Sequence, residues 1–149
     1  MSAPTSPTHT AHDAIVKWLV PERVIYMWAS GAISRSVREW MNTQAVYLYH
    51  SCGTPKIHLF IDTRQVSSQS RATRQDRSAI WHPRRGWCVT IGAIHNPLVR
   101  TILNPLLRLF QTYIQHFASN ESALAFLQQA DPTLPELQPY WDAIQTQRR

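Results

Sequence analysis

Lys56-Ile57-His58-Leu59-Phe60-Ile61-Asp62-Thr63-Arg64-Gln65-Val66-Ser67-Ser68-Gln69-Ser70 is the stretch whose reading decides the fold. Its first half is a dense apolar run that stops at Asp62, the pattern of a strand buried on both faces of a parallel sheet. Its second half reads as a polar turn. Ser67, Ser68 and Ser70 precede residues that can be helical, so the chain is expected to leave the carboxyl end of a central strand and enter a helix there. In open α/β sheets that rim is where ligands and partners are met.

The flanking sequence supplies the rest of such a sheet. Ile15 to Val20 and Val24 to Ser30 are strand-like and separated by Pro21-Glu22, which predicts a β-hairpin. Ser34 can accept a hydrogen bond from a free N–H of a first helical turn. Val37, Trp40, Met41, Ala45, Leu48 and Cys52 then recur at helical spacing, until Gly53 and Pro55 end the helix. Downstream of the serines a weaker, partly exposed helix is expected from Gln69 to Ile80, with Arg71, Arg74 and Arg77 along one side. Trp87 to Ile94 is another buried-type strand. Asn96-Pro97 opens a helix whose Leu98, Val99, Ile102, Leu103, Leu106, Leu107, Leu109 and Phe110 cover more than one face, with Pro105 expected to kink or break it. Core packing is the reading favoured for that helix, and its apolar width also fits a dimer face or the wall of an apolar cavity. A strand from Tyr113 to Ala118 and a helix capped by Ser119 or Asn120 follow.

The order strand, strand, helix, strand, helix, strand, helix, strand, helix predicts an α/β fold. Its five-stranded sheet is mixed but mostly parallel, with one antiparallel strand at or near an edge. Residues 13–129 form that domain. Residues 1–12, rich in Pro, Ser and Thr, are expected to be disordered. Residues 130–149 carry Leu134, Leu137, Tyr140, Trp141 and Ile144 and are expected to pack on the domain or on a neighbour.

Composition narrows the function classes. The chain has 149 residues, 44% hydrophobic and 16% charged, enough to bury a core without disulfides or metals. Its net charge of +6 is nearly all Arg, but the arginines are scattered rather than interleaved with aromatics in one stripe. The charge is therefore read as serving solubility, and nucleic acid is not expected as a partner. Cys52 and Cys88 have no metal or redox spacing and read as reduced thiols. The amino terminus lacks the pattern of a signal peptide, and no apolar run approaches the roughly 20 residues of a membrane span, so a cytoplasmic location is expected.

Enzyme-like positions are explained more simply. The histidines, His50, His58, His95 and His116 among them, have no helical partner spacing, so no metal is expected. Cys88 sits in an apolar strand, where a thiolate is disfavoured. There is no Gly-rich phosphate loop and no nucleophile elbow, so no catalytic residue or cofactor is assigned. Trp81 and Trp87 flank Arg84 and Arg85, a combination that suits either a surface anchor or sheet-edge packing.

The element order, the Lys56 to Asp62 strand with its serines, and the closing Ala118 to Leu127 segment together resemble the STAS-like family. That family includes bacterial anti-sigma factor antagonists and is close in fold to small Sec14-type bacterial domains. The resemblance covers Ile15 to Leu127 and rests on pattern and topology. It implies a regulatory, non-catalytic domain that docks a protein partner, a kinase or an anti-sigma-like regulator, through the region after the central strand. The residues here that match the family's phosphoacceptor or docking loop are Asp62, Ser67, Ser68, Ser70 and Arg71. The family's Asp-Ser-Ser-Gly-Leu run is absent, and Gln69 stands where Gly is usual. Read without the resemblance, the serines are favoured as helix N-caps. The alternative function is binding of a small lipid or nucleotide in the cleft between that loop and the Leu98 to Phe110 helix. Leu98, Ile102, Leu106 and Phe110 then form an apolar ligand surface, or else a homodimer face.

Overall fold

The computed structural model describes residues 14–69 and 77–147. The stretch expected to be disordered, 1–12, lies outside the described residues, as do Ser70 and Arg71. The strands are β1 (Ala14–Val20), β2 (Val24–Ile33), β3 (Ile57–Gln69), β4 (Arg85–Ile91) and β5 (Ile114–Phe117). The helices are α1 (Arg35–His50), α2 (Pro97–Leu109), α3 (Asn120–Ala130) and α4 (Gln138–Gln147). One five-stranded sheet runs in the order β1-β2-β3-β4-β5. β1 is antiparallel to β2, and every later pairing is parallel.

Strand order equals chain order from β2 to β5, and this fixes where the helices lie. Right-handed crossovers stepping the same way along a sheet all pass over the same face. That face therefore receives α1, the β3–β4 connection and α2, and α3 and α4 cover the other. The two buried clusters match this division. Ile25, Met27, Ile57, Leu59 and Cys88 pack with Val37, Met41, Ala45 and Tyr49 of α1. Tyr26, Phe60, Val89 and Ile91 pack with Leu124 and Leu127 of α3 and Trp141 and Ile144 of α4. Trp141 meets Tyr26 edge-on at 5.8 Å and Phe60 at 5.3 Å, the aromatic centre of that layer. Leu134 and Leu137 are buried in the same cluster.

Two sequence expectations are corrected. The polar residues after Asp62 are strand, not turn: β3 continues to Gln69, pairing Gln65 with Ser30, Val66 with Gly31 and Ser68 with Ala32 of β2. Pairing with β4 ends at Asp62 opposite Ile91, so beyond that point β3 and β2 form a two-stranded ribbon. Arg64, Gln65, Ser67 and Ser68 are exposed on it, which is why their sequence looks like a loop. Gly31, at φ 74, sits where the register slips by one residue, a left-handed backbone that a side chain disfavours. The helix expected from Gln69 to Ile80 is the second correction. Gln69 ends β3, residues 70–76 lie outside the described region, and Arg77 to Trp81 make a single turn closed by Trp81 N–H donating to the Arg77 carbonyl.

The helix termini follow the sequence. Ser34 Oγ accepts from Val37 N–H at the start of α1, and Asn96 Oδ1 accepts from Leu98 and Val99 N–H at the start of α2, with Pro97 in the first turn. Pro105 does not break α2, which runs on to Leu109. Pro105 and Thr101, whose carbonyl the proline cannot pair with, are both exposed residues, so water can replace the missing bond.

Candidate functional site

Among the described residues, the face shared by the crossovers is incompletely filled. α1 packs over β1 and β2, and α2 packs on β5. The central strands between them are covered on this side by the Arg77–Trp81 turn, whose inward residue is the small Ala79. What remains is a cavity of about 430 Å³ over the carboxyl-terminal halves of the strands. Its floor is built by alternate residues of four strands: Met27 and Ala29, Ile61 and Thr63, Cys88 and Thr90, Ile114 and His116. Met41 and Asn42 of α1, Ala79 to Trp81, and Leu107 of α2 form its walls. The volume falls within the usual range for small-ligand sites, and the position is the one open α/β sheets use for ligands.

The polar groups around the cavity are mostly engaged. Asn42 ties the wall together, its Oδ1 accepting from Ala79 N–H at 2.9 Å and its Nδ2 bonding Ser78 Oγ at 2.6 Å. Thr63 Oγ1 donates to the Ile91 carbonyl. Thr90 Oγ1 and His116 Nδ1 are hydrogen-bonded, and burial holds His116 below the ordinary histidine range. Burial likewise pushes the Cys88 thiol up to about 11, so it is an inert part of the floor.

The sequence-predicted site residues do not form one loop. Asp62 is 1% exposed, and it accepts from Arg64 N–H, Nε and Nη2 at 3.0–3.1 Å. The Arg64 guanidinium also lies 6.0 Å from the Trp141 ring. This pair braces the start of the ribbon. Gly92, at φ +82, is required beside it, because a Cβ there would lie 2.8 Å from Arg64 Cγ. Ser67 and Ser68 are exposed strand residues farther along the ribbon, so neither is the N-cap the sequence favoured.

α2 departs from the core reading altogether. None of its residues is buried, and Leu98, Ile102, Leu106, Leu109 and Phe110 are 45–73% exposed. The helix is nonetheless anchored. Asn104 grips the outer edge of β5, its Oδ1 accepting from His116 N–H and its Nδ2 donating to the His116 carbonyl. That carboxamide imitates a sixth strand for one residue pair and blunts an otherwise open edge.

Arg84 and Arg85 are structural rather than a surface anchor. Arg84 bonds the carbonyls of Tyr49 in the last turn of α1 and of Cys52 and Thr54 after it, and Arg85 bonds those of Ile80, Gly86, Thr112 and Tyr113. Trp87 packs edge-on with Tyr113 and Phe126, while Trp81 is exposed beside Arg85. Among the described residues no three His, Cys, Asp or Glu side chains converge as metal ligands. No described helix is long and apolar enough to cross a membrane.

Sequence reasoning missed the cavity floor. Its polar pair was signalled only faintly, by a lone Thr90 inside Cys-Val-Thr-Ile and by His116 in a short strand, both at buried register.

No protein-family model matches the chain, and no curated protein does. Solved structures do. The crystal structure of an uncharacterized protein from the DUF3478 family of Shewanella loihica PV-4, with a SpoIIAA-like fold, superposes with a TM-score of 0.56. It is 16% identical and covers 83% of this chain and 99% of that one. The fold is SpoIIAA-like. The anti-sigma factor antagonist SpoIIAA in its unphosphorylated form is 11% identical over 78% of this chain and 98% of that one, with a TM-score of 0.48. This architecture is the STAS-like arrangement, in which one antiparallel edge strand precedes a parallel core.

Proposed function

We propose that this SpoIIAA-like chain is a non-catalytic binding module that holds a small apolar molecule in the cavity between α1 and α2. The observation that carries the reading is the cavity itself: about 430 Å³ with a floor dominated by Met, Ala, Ile and Cys side chains. A well-packed interior leaves few voids larger than a water molecule, so space on this scale is a binding feature rather than a packing fault. A nucleotide base fits its floor poorly, because only Thr63, Thr90 and His116 could bond it there once it was dehydrated.

Diphenylhexatriene, a hydrocarbon that fluoresces only when removed from water, tests the reading. It should bind saturably at one molecule per chain. Leu107→Trp, which fills the cavity from its α2 wall, should abolish that binding while the chain stays folded. Absence of saturable binding, or equal binding by the filled variant, would sink the proposal.

A protein partner is the second reading, favoured by the exposed stripe of Leu98, Ile102, Leu106 and Phe110. Residues at this spacing line one side of a helix and suit a groove on another protein, a regulator or a second copy of the chain. On this reading the exposed Ser67 and Ser68 of the β3 ribbon are a further contact for the partner.

A further inference from the structure

The cavity has polar features at opposite ends. Arg38 and Arg77 line it on the α1 side, and the Thr90–His116 pair lines it on the side of β5. From β2 to β5 the floor spans three inter-strand steps, roughly 14 Å. Between the two ends lie Met27, Ile61 and Cys88.

The β5 end is built. Thr90 and His116 are direct register partners on β4 and β5, so both side chains rise from the same face of the sheet. Thr90 is 7% exposed, and its hydroxyl holds His116 Nδ1 at 2.5 Å. The His116 backbone is fixed independently by the Asn104 carboxamide. Ring and backbone are thus both held. The other ring nitrogen, Nε2, has no protein partner among the described residues. A side-chain nitrogen fixed in place beside an apolar floor is poised to bond something that enters.

The chemistry of the pair selects what that is. A threonine hydroxyl can donate to Nδ1 or accept from it, so the pair tolerates either neutral tautomer. Nε2 is a donor in one case and an acceptor in the other. A hydroxyl group satisfies both. A carboxylate or phosphate here would meet an imidazole that burial keeps uncharged. We infer that the Thr90–His116 pair is the specificity subsite of the cavity, and that its ligand is an apolar molecule carrying a hydroxyl group, with the hydroxyl bonded to His116 Nε2. This rests on the cavity-binding reading above.

Decanol and decanoate, competed against diphenylhexatriene, test it. Decanol should displace the hydrocarbon from the wild-type chain. In His116→Phe the affinity of decanol relative to the hydrocarbon should fall about tenfold, the effect of stranding a dehydrated hydroxyl. His116→Gln, which keeps a neutral hydrogen-bonding group, should recover most of the loss. An unchanged ratio in His116→Phe overturns the inference and leaves the cavity reading intact. Preferential binding of decanoate, lost in Arg77→Ala, also overturns it, by placing an acid at the α1 end instead. Failure of diphenylhexatriene to bind the wild-type chain removes the cavity reading, and this subsite with it.

Discussion

Asp131→Ala should destabilise the chain far more than an exposed carboxylate would. Asp131 lies between α3 and α4, and four bonds converge on it. His58 Nε2 donates at 2.8 Å, Arg23 Nη2 at 3.1 Å, Thr133 N–H at 3.1 Å and the Thr133 hydroxyl at 2.5 Å. His58 is the critical partner. Its side chain is 7% exposed, and its Nδ1 accepts from Trp87 N–H at 2.9 Å, which places the ring proton on Nε2, facing Asp131. Gly86 leaves room for this ring, since a Cβ there would lie 2.6 Å from Nδ1. Removing the carboxylate strands that buried N–H, a loss of about 1–3 kcal/mol. The Arg23 pair is partly exposed and adds about 0–1 kcal/mol. A total of about 1–4 kcal/mol lowers the Tm of a chain this size by roughly 2–16 °C. Urea titration of wild type, Asp131→Ala, His58→Leu and the double variant measures it. The double variant should be less destabilised than the sum of the single ones, because the His58–Asp131 bond can be lost only once. A loss below about 0.5 kcal/mol in Asp131→Ala, or strict additivity, would refute the reasoning.

Stability should also fall on mild acidification. His58, His82 and His116 are all held below the ordinary histidine value of 6.5, mainly by burial, so the unfolded chain takes up protons that the folded chain declines as pH drops through that value. The Tm should be lower at about pH 5.5 than at about pH 8, with a smaller difference in His58→Leu; a rise on acidification would contradict the assignment. Asp131, held well below the carboxylate range by its Thr133 and His58 bonds against the opposing effect of burial, extends the same trend below pH 3.8. Gly92→Ala should cost about 1–3 kcal/mol, since it forces a left-handed residue against Arg64; calorimetry of Gly92→Ala with and without Arg64→Ala separates backbone strain from the clash. Ile102→Asp with Phe110→Asp should leave the Tm within about 1 °C, because both residues are exposed, while abolishing any concentration-dependent association seen by sedimentation.

The layered fold was legible because its strands are apolar on both faces. Ile57 and Leu59 point to one helical layer and Phe60 to the other, and no half-wetted sheet would carry that run. α1 was legible through its capping serine and its stripe, which placed Val37, Met41 and Ala45 in the core. The ribbon beyond Asp62 was not legible, and the reason is local. Once β4 drops away, a strand paired on one side only has no layer to bury its side chains, so Arg64, Gln65, Ser67 and Ser68 carry the composition of a turn while keeping the geometry of a strand. α2 failed as a core prediction for the opposite reason. Apolar width shows that a helix must be covered, but it does not say by which molecule.

The cavity lies at a level that periodicity cannot reach. Met27, Ile61, Cys88 and Ile114 look like ordinary core residues, and each would be one if the helices above were evenly spaced. The vacancy arises from the placement of the crossovers. α1 is drawn toward the β1–β2 edge, α2 is held at the β5 edge by Asn104, and the turn between them presents Ala79 where a larger side chain would close the gap. Asn104 therefore has two effects through one carboxamide. It blunts an edge strand and it keeps α2 away from the centre of the sheet, so the width of the cavity and the exposure of the apolar stripe on α2 have a common cause. A molecule bound against Leu107 and a partner docked on Leu106 and Phe110 would press on adjoining faces of the same helix. Occupancy of one site must then bear on the other to the extent that α2 shifts on its Asn104 anchor.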